Sequence, residues 1–126
     1  MMHASRRVAS IESYVGLVEV GVGLIPAGGG LKEAAVRAAA DAKGNDLLQF
    51  LKNYFMNAAT ANVSKSALEA RKMGYLGADD VIVFNAYELL HVAKVEARAL
   101  FDAGYRPPLK ALVPVAGRYG MATIMA

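Results

Sequence analysis

The sequence contains no cysteine and no tryptophan, and it has no long uninterrupted apolar run. Without cysteine, the chain cannot form a disulfide, bind a metal through thiolates or use a cysteine nucleophile. No apolar stretch approaches the ~20 residues that a membrane-spanning helix needs. No charged segment leads into an apolar stretch with a cleavage site, as in a signal peptide. These absences predict a cytoplasmic protein without a membrane span.

Strong charge of either sign is also missing. Fourteen lysines and arginines stand against eleven acidic residues, which gives a formal net charge of +3. The basic residues are scattered beside acidic ones, a pattern typical of solvated helix faces. Because no basic run is interleaved with aromatic residues, the sequence predicts no nucleic-acid partner.

Apolar residues are present in excess. The chain has 126 residues, enough for one domain. Its apolar share, counted with glycine and without tyrosine, is roughly 60%, against ~45–50% in typical soluble domains. A small domain leaves much of its surface in water and should need more polar residues than average. We therefore expect apolar surface to be covered by a second subunit, in a homo-oligomer, or by a missing N-terminal half.

The periodicity of the sequence predicts an α/β, mostly helical fold. Short strands are expected near residues 7–23 and 81–84, where β-branched residues and glycine alternate or cluster. The alanine-rich stretch "LKEAAVRAAADA", residues 31–42, is a helix by propensity.

Three further helices are marked by capping residues. Asn45 or Asp46 can cap a helix that starts at residue 47, Ser66 and Glu69 form a capping box, and Asn85 can cap a long helix. At helical spacing, the apolar faces of the first and last of these helices comprise Leu47, Leu48, Leu51, Phe55, Ala58 and Ala59, and Leu89, Leu90, Ala93, Ala97 and Phe101.

Glycine is concentrated in "EVGVGLIPAGGG", residues 19–30. A P-loop is excluded, because no lysine followed by a hydroxyl residue comes after these glycines. A dinucleotide fingerprint fits poorly. Gly21 and Gly23 match it, but Pro26 takes the third glycine position, and Asp41 lies within a predicted helix instead of at a strand end.

The same stretch can serve chemistry in another way. Three glycines before a helix leave free amides where a partial positive charge favours an anionic group. Glu19 lies on the predicted strand that leads in, and a carboxylate in an apolar segment is costly to bury without a partner or a task. Such surroundings favour the protonated form and suit a proton-transfer group. The alternative, that Glu19 faces solvent at a strand edge, is equally compatible with the residues alone.

The glycine stretch resembles a segment of the crotonase (enoyl-CoA hydratase) superfamily. In that segment a catalytic glutamate is followed by glycine at four residues, proline at seven and a glycine pair at ten and eleven. Glu19, Gly23, Pro26, Gly29 and Gly30 occupy these positions, although the proline that precedes the glutamate in the family is a valine here. "NVSKSALEARKMGYL" and "YRPPLKALVPVAGRYGMATIMA" are similar to the hydratase-like C-terminal region of large bacterial 3-hydroxyacyl-CoA dehydrogenases.

The resemblance implies the second half of a crotonase-type ββα-spiral domain with its helical C-terminal part. Residues 1–30 would supply a strand and the glycine-rich active-site segment, and residues 31–126 would be mainly helical. The chain would belong to a fatty-acid β-oxidation enzyme that acts on acyl-CoA thioesters. Glu19 would be the second of two catalytic glutamates. The residues expected to shape the substrate site are Gly23, Pro26, Gly28, Gly29 and Gly30.

The family's first catalytic glutamate and its oxyanion-hole amides belong to a "GGG-x-E" type motif and an earlier strand, which this sequence lacks. We therefore expect a fragment that is inactive alone, with NAD bound only by a parent dehydrogenase domain. The alternative is a non-catalytic remnant or oligomerisation module that keeps only the packing surface. Asp79 and Asp80 are expected to form a turn, and His91 to be a packed or surface residue. No metal site is predicted, since His3 has no second ligand at a suitable spacing.

Overall fold

The computed structural model describes residues 1–109 and 112–125, so the predictions for Lys110, Ala111 and Ala126 lie outside the described residues. Helices dominate and sheet is sparse, which makes this a small α/β, mostly helical fold, as predicted. The helices are α1 (Gly30–Ala42), α2 (Leu47–Ala59), α3 (Ala67–Lys72), α4 (Leu89–Asp102) and α5 (Gly117–Met125). The strands are β1 (Val8–Ser10), β2 (Val15–Gly16), β3 (Val63–Ser64) and β4 (Val81–Val83).

The chain divides into two compact units. The first comprises residues 1–15 and 64–109, and the second comprises residues 16–63 and 112–125. The chain passes between the units within β2 and β3, which form a two-stranded sheet.

The first unit is built on the parallel pair of β1 and β4, with Val8 opposite Val81 and Ser10 opposite Val83. The amide of Ile11 extends the ladder by donating to the Val83 carbonyl at 2.8 Å. Its buried apolar residues are Met2, Ala9, Ala67, Ala70, Tyr75, Leu76 and Val83.

The predicted caps of this unit form, with local differences. Ser66 Oγ accepts a hydrogen bond from the Glu69 amide at 3.1 Å, and the Glu69 carboxylate accepts one from the Lys65 amide at 2.7 Å, one residue before the predicted partner. Asn85 caps a 3-10 turn, Ala86–Glu88, that runs directly into α4.

The second unit is built on α1 and α2. The alanines that let the helices approach are buried: Ala34, Ala38, Ala42 and Ala58. Of the two predicted caps of α2 the structure uses Asp46, whose carboxylate accepts from the Leu48 amide at 3.0 Å. Tyr54 of α2 donates its hydroxyl hydrogen to Asp41 of α1 at 3.0 Å.

One prediction about local structure is wrong, and one helix was not assigned. The extended segment expected up to residue 23 ends at Gly16, and Glu19–Val22 forms a 3-10 helix. Glu19 therefore begins a tight turn instead of lying on a strand. The unassigned helix is α5, within the part of the chain expected to be mainly helical. Its Gly120 is buried, and a β-carbon there would lie 3.2 Å from Leu48 Cδ2 of α2.

Candidate functional site

The candidate site is the turn that begins at Glu19, in the second unit. The amides of Gly23 and Leu24 both donate to the Glu19 carbonyl, and Gly21 donates to Val18 at 2.9 Å. Gly23 has a φ of 76°, a left-handed conformation that glycine adopts without steric cost. The backbone therefore reverses within four residues of the carboxylate.

Three glycines lead into α1, and the last of them, Gly30, lies against Leu17. Gly29 has a φ of 94° and precedes the first helical residue. A β-carbon on Gly30 would lie only 2.6 Å from Leu17 Cδ2, so the Leu17 side chain rests on the helix start. Leu17 is two residues before Glu19, so the start of α1 packs on the segment that leads into the glutamate turn. Gly28 has open space around its α-carbon and makes no comparable contact.

The Glu19 carboxylate is partly enclosed. Its Oε2 atom is shielded from solvent and has no hydrogen-bond partner among the described residues. The alternative that Glu19 faces solvent does not hold for Oε2, because this atom is shielded. An unpartnered buried carboxylate oxygen costs about 1–3 kcal/mol or more. Glu19 Oε2 is therefore free to accept a hydrogen bond from a group outside the described residues.

The apolar side chains that follow Glu19 are largely exposed. Val22, Leu24 and Ile25 are exposed, Ile25 to 78% of its full surface, whereas Pro26 is buried. The turn therefore shields one oxygen of its charged group and exposes three of its hydrophobic side chains.

A second cluster of polar groups, in the first unit, has a structural role. Asp80 is only 5% exposed and accepts hydrogen bonds from the Arg7 amide at 2.9 Å, Arg7 Nε at 2.5 Å and the Gly77 amide at 2.6 Å. Arg71 donates to the carbonyls of Gly77 and Asp80. The turn-forming role predicted for Asp80 is confirmed. The two arginines were missed, since nothing local in the sequence links them to residue 80.

The structure also bears on His91, on metal-binding groups and on membrane spans. His91 is an exposed residue of α4, as a surface histidine should be. Within residues 1–109 and 112–125, no group of three or more histidine and acidic side chains could hold a metal ion. No helix in this part of the chain is long and apolar enough to cross a membrane.

Comparison with known proteins links the chain to one enzyme type. No family profile matches the chain, and no solved structure matches it. A probable 3-hydroxyacyl-CoA dehydrogenase of Bacillus subtilis (strain 168) is 44% identical over 122 residues, which is 97% of this chain. The chain spans only 15% of the length of that relative. Almost the whole of this chain is thus similar to a short segment of a much longer probable 3-hydroxyacyl-CoA dehydrogenase.

Proposed function

We propose that this chain is part of a fatty-acid β-oxidation enzyme related to 3-hydroxyacyl-CoA dehydrogenases. In this proposal it forms the second half of a crotonase-type domain, and Glu19 borders a pocket for an acyl-CoA thioester. The observation that carries the proposal is the shielded, unpartnered Oε2 of Glu19. The 44% identity to a dehydrogenase along nearly the whole chain supports the class of substrate.

The proposed reaction is the addition of water to an enoyl-CoA. A water oxygen forms a bond to the β-carbon, a carboxylate takes the water proton, and the α-carbon receives a proton. General acid–base groups placed in this way contribute ~10²–10⁴ in rate. Glu19 fits the acid–base role, because no donor in the described chain occupies its Oε2. The resemblance to the crotonases implies a second glutamate, which would come from polypeptide outside this chain.

The exposed apolar residues of the turn support a site that is completed elsewhere. Val22, Leu24 and Ile25 would lie in water in the isolated chain. The relative has 85% of its length outside the 15% that is matched, ample to cover this surface. We therefore expect the isolated chain not to hydrate crotonyl-CoA above background.

A chimera tests the role of Glu19. The matched segment of the Bacillus subtilis relative is replaced by this chain, and two activities are measured: hydration of an enoyl-CoA and NAD-dependent oxidation of a 3-hydroxyacyl-CoA. We expect Glu19→Gln to lower hydration at least about 10²-fold, because proton transfer is lost, and to leave oxidation unchanged.

Glu12→Gln is the matched control, since Glu12 is an exposed glutamate of the same sequence region. It should alter neither activity. Equal hydration rates for the two variants would contradict the catalytic assignment of Glu19, and a chimera that oxidises but never hydrates would contradict the hydratase proposal.

An assembly module is the second candidate, favoured by a specific observation. Leu90 and Phe101, on the apolar face of α4, are 67% and 74% exposed, and no residue of α4 is buried. If the chimera assembles normally, shows no hydration and is indifferent to Glu19→Gln, then this chain serves packing alone.

A further inference from the structure

Glycine at position 30 is explained by a neighbouring side chain and not by its own backbone. Gly30 is the first residue of α1, and its φ lies outside the left-handed region, unlike that of Gly29. Alanine would therefore fit this backbone and would favour the helix more than glycine does. The obstacle is Leu17, which supplies the three heavy atoms nearest to a β-carbon at position 30, at 2.6, 3.1 and 3.4 Å.

Leu17 joins two segments that are each held by other contacts. On its N-terminal side, Gly16 of β2 lies so close to the next strand that a β-carbon there would be 2.7 Å from the Asn62 carbonyl oxygen. On its C-terminal side, residues 18–24 are closed on themselves by three backbone hydrogen bonds of 2.9–3.0 Å. The direction in which the Glu19 turn leaves β2 therefore depends on Leu17, and the Leu17 side chain rests on α1.

We propose that Leu17 and Gly30 are positioning residues for Glu19. The leucine side chain rests on the bare α-carbon of Gly30 and so fixes the turn that carries the carboxylate, without contact between either residue and the substrate. The inference rests on the proposed acid–base role of Glu19, and it gives Gly30 a role other than the substrate contact that the resemblance implies. Such positioning matters because a misplacement of about 1 Å can cost on the order of 10² in rate.

A methyl group at position 30 should displace the leucine without unfolding the unit. The closest contacts are with the two terminal carbons of Leu17, a flexible and half-buried side chain, and not with backbone. The leucine can move away by changing rotamer. Residues 18–24 would then keep their own hydrogen bonds but lose their fixed direction. The Glu19 carboxylate would still be able to take a proton, but it would be misplaced.

The test is a size swap in the chimera with the Bacillus subtilis relative. Gly30→Ala should lower the kcat of enoyl-CoA hydration about tenfold or more. It should leave unchanged both the Kd for a non-reacting acyl-CoA and the rate of NAD-dependent oxidation, because only the orientation of the proton-transfer group is lost. Leu17→Ala opens the same contact from the other side, without a clash, and should also lower kcat.

The double variant Leu17→Ala/Gly30→Ala provides the rescue. Its new methyl group occupies the space that the leucine leaves, so it should hydrate about twofold or more faster than either single variant. Leu68→Ala is the control for the loss of a leucine side chain, since Leu68 lies on α3 of the other unit and is 49% exposed. It should change neither activity.

Urea unfolding of the full 126-residue chain reports the contact itself. The double variant should be more stable than the sum of the two single shifts in midpoint predicts, because the two substitutions compensate for each other. Circular dichroism shows which variants are folded. If Gly30→Ala is unfolded, Leu17→Ala decides: a lower kcat with an unchanged Kd supports the inference, and an unchanged kcat overturns it.

The inference and the proposed function fail in different ways. If the parent chimera hydrates and neither single variant lowers kcat, or if the double variant hydrates no faster than the single ones, the contact does not position Glu19. A weaker Kd for the acyl-CoA in Gly30→Ala, without recovery in the double variant, would place Gly30 at the substrate. Each of these results leaves the proposed function standing. A parent chimera that oxidises but never hydrates would overturn both.

Discussion

At the scale of single residues, the chain contains two carboxylates in contrasting surroundings. Asp80 is held by three hydrogen bonds to its oxygens, whereas Glu19 Oε2 has none among the described residues. A fully satisfied buried carboxylate stabilises local structure, and an unsatisfied one is a candidate for chemistry. The sequence predicted the turn-forming role of Asp80 from its neighbours. It could not predict the enclosure of Glu19, which depends on the fold of the whole unit.

Neutralising Asp80 should destabilise the protein strongly. Asp80→Asn keeps the shape of the side chain but leaves the buried Arg7 guanidinium without its anion. Breaking one partner of a buried pair costs about 3–5 kcal/mol, so we expect a loss of at least about 3 kcal/mol in urea unfolding at neutral pH.

Asp79→Asn is the control for Asp80→Asn, because Asp79 is exposed. This substitution should change the free energy of unfolding by less than about 0.5 kcal/mol. If both variants unfolded at the same urea concentration, the ion pair would not be the stabilising element that the structure indicates.

Tyr54 should make stability depend on pH in the alkaline range. Burial, together with the hydrogen bond to Asp41 and the charge of that carboxylate, raises the pKa of Tyr54 from 10.0 to about 12, although Arg37 opposes the shift. The folded state then keeps the proton that the unfolded chain loses. The stabilisation is fully present below pH 10 and disappears as the pH rises through about 12.

The measurement is urea unfolding of the parent and of Tyr54→Phe at pH 8 and pH 11.5. The parent should lose about 1–2 kcal/mol more than the variant between these two values, after allowance for solvent screening of a half-buried group. Tyr119→Phe, at an exposed tyrosine, should follow the parent. A Tyr54→Phe profile that parallels the parent would show that the phenol does not titrate in this way.

At the scale of secondary-structure elements, local signals were sufficient where a capping side chain marks a helix or turn start. Asp46, Ser66 and Asn85 all accept a hydrogen bond from a backbone amide at a helix or turn start, as their positions predict. The errors fell where tertiary contacts decide. The 3-10 turn at Glu19 replaces a predicted strand. Leu17, just before this turn, contacts Gly30, and no local sequence pattern predicts that contact.

The α5 helix illustrates the same limit. Its sequence begins after prolines and contains two glycines, both of which weaken a helix prediction. Gly120 is tolerated because it lies against Leu48 of α2, so packing compensates for poor propensity. A helix that depends on such a contact cannot be inferred from propensity alone.

Gly120→Ala should therefore destabilise the second unit although alanine is the better helix former. A β-carbon at position 120 would collide with the Ala116 β-carbon and crowd Leu48 Cδ2. Overpacking costs about 1–3 kcal/mol, against about 1 kcal/mol gained from helix propensity. We expect a net loss of up to about 2 kcal/mol in chemical denaturation.

Gly28→Ala is the control for Gly120→Ala, because nothing lies within 4 Å of a β-carbon at that position. It should change stability by less than about 0.5 kcal/mol. Greater stability of Gly120→Ala than of the parent would mean that α5 does not pack closely on α2.

At the scale of the whole molecule, composition was the most informative property. The excess of apolar residues predicted surface that needs cover, and the structure has such surface on the Glu19 turn, on α4 and on α5. Because the chain matches only 15% of a longer dehydrogenase, we propose that the rest of such a protein covers this surface. The sequence alone does not specify what would cover each face.

The central claim is that Glu19 transfers a proton at a thioester site completed by other polypeptide. The most direct measurement is the enoyl-CoA hydration rate of the chimera with Glu19→Gln, together with its affinity for a non-reacting acyl-CoA. The account predicts a kcat reduced at least about 10²-fold and an unchanged Kd, since only the proton-transfer group is lost. A full hydration rate in a chimera whose residue 19 is glutamine would contradict it.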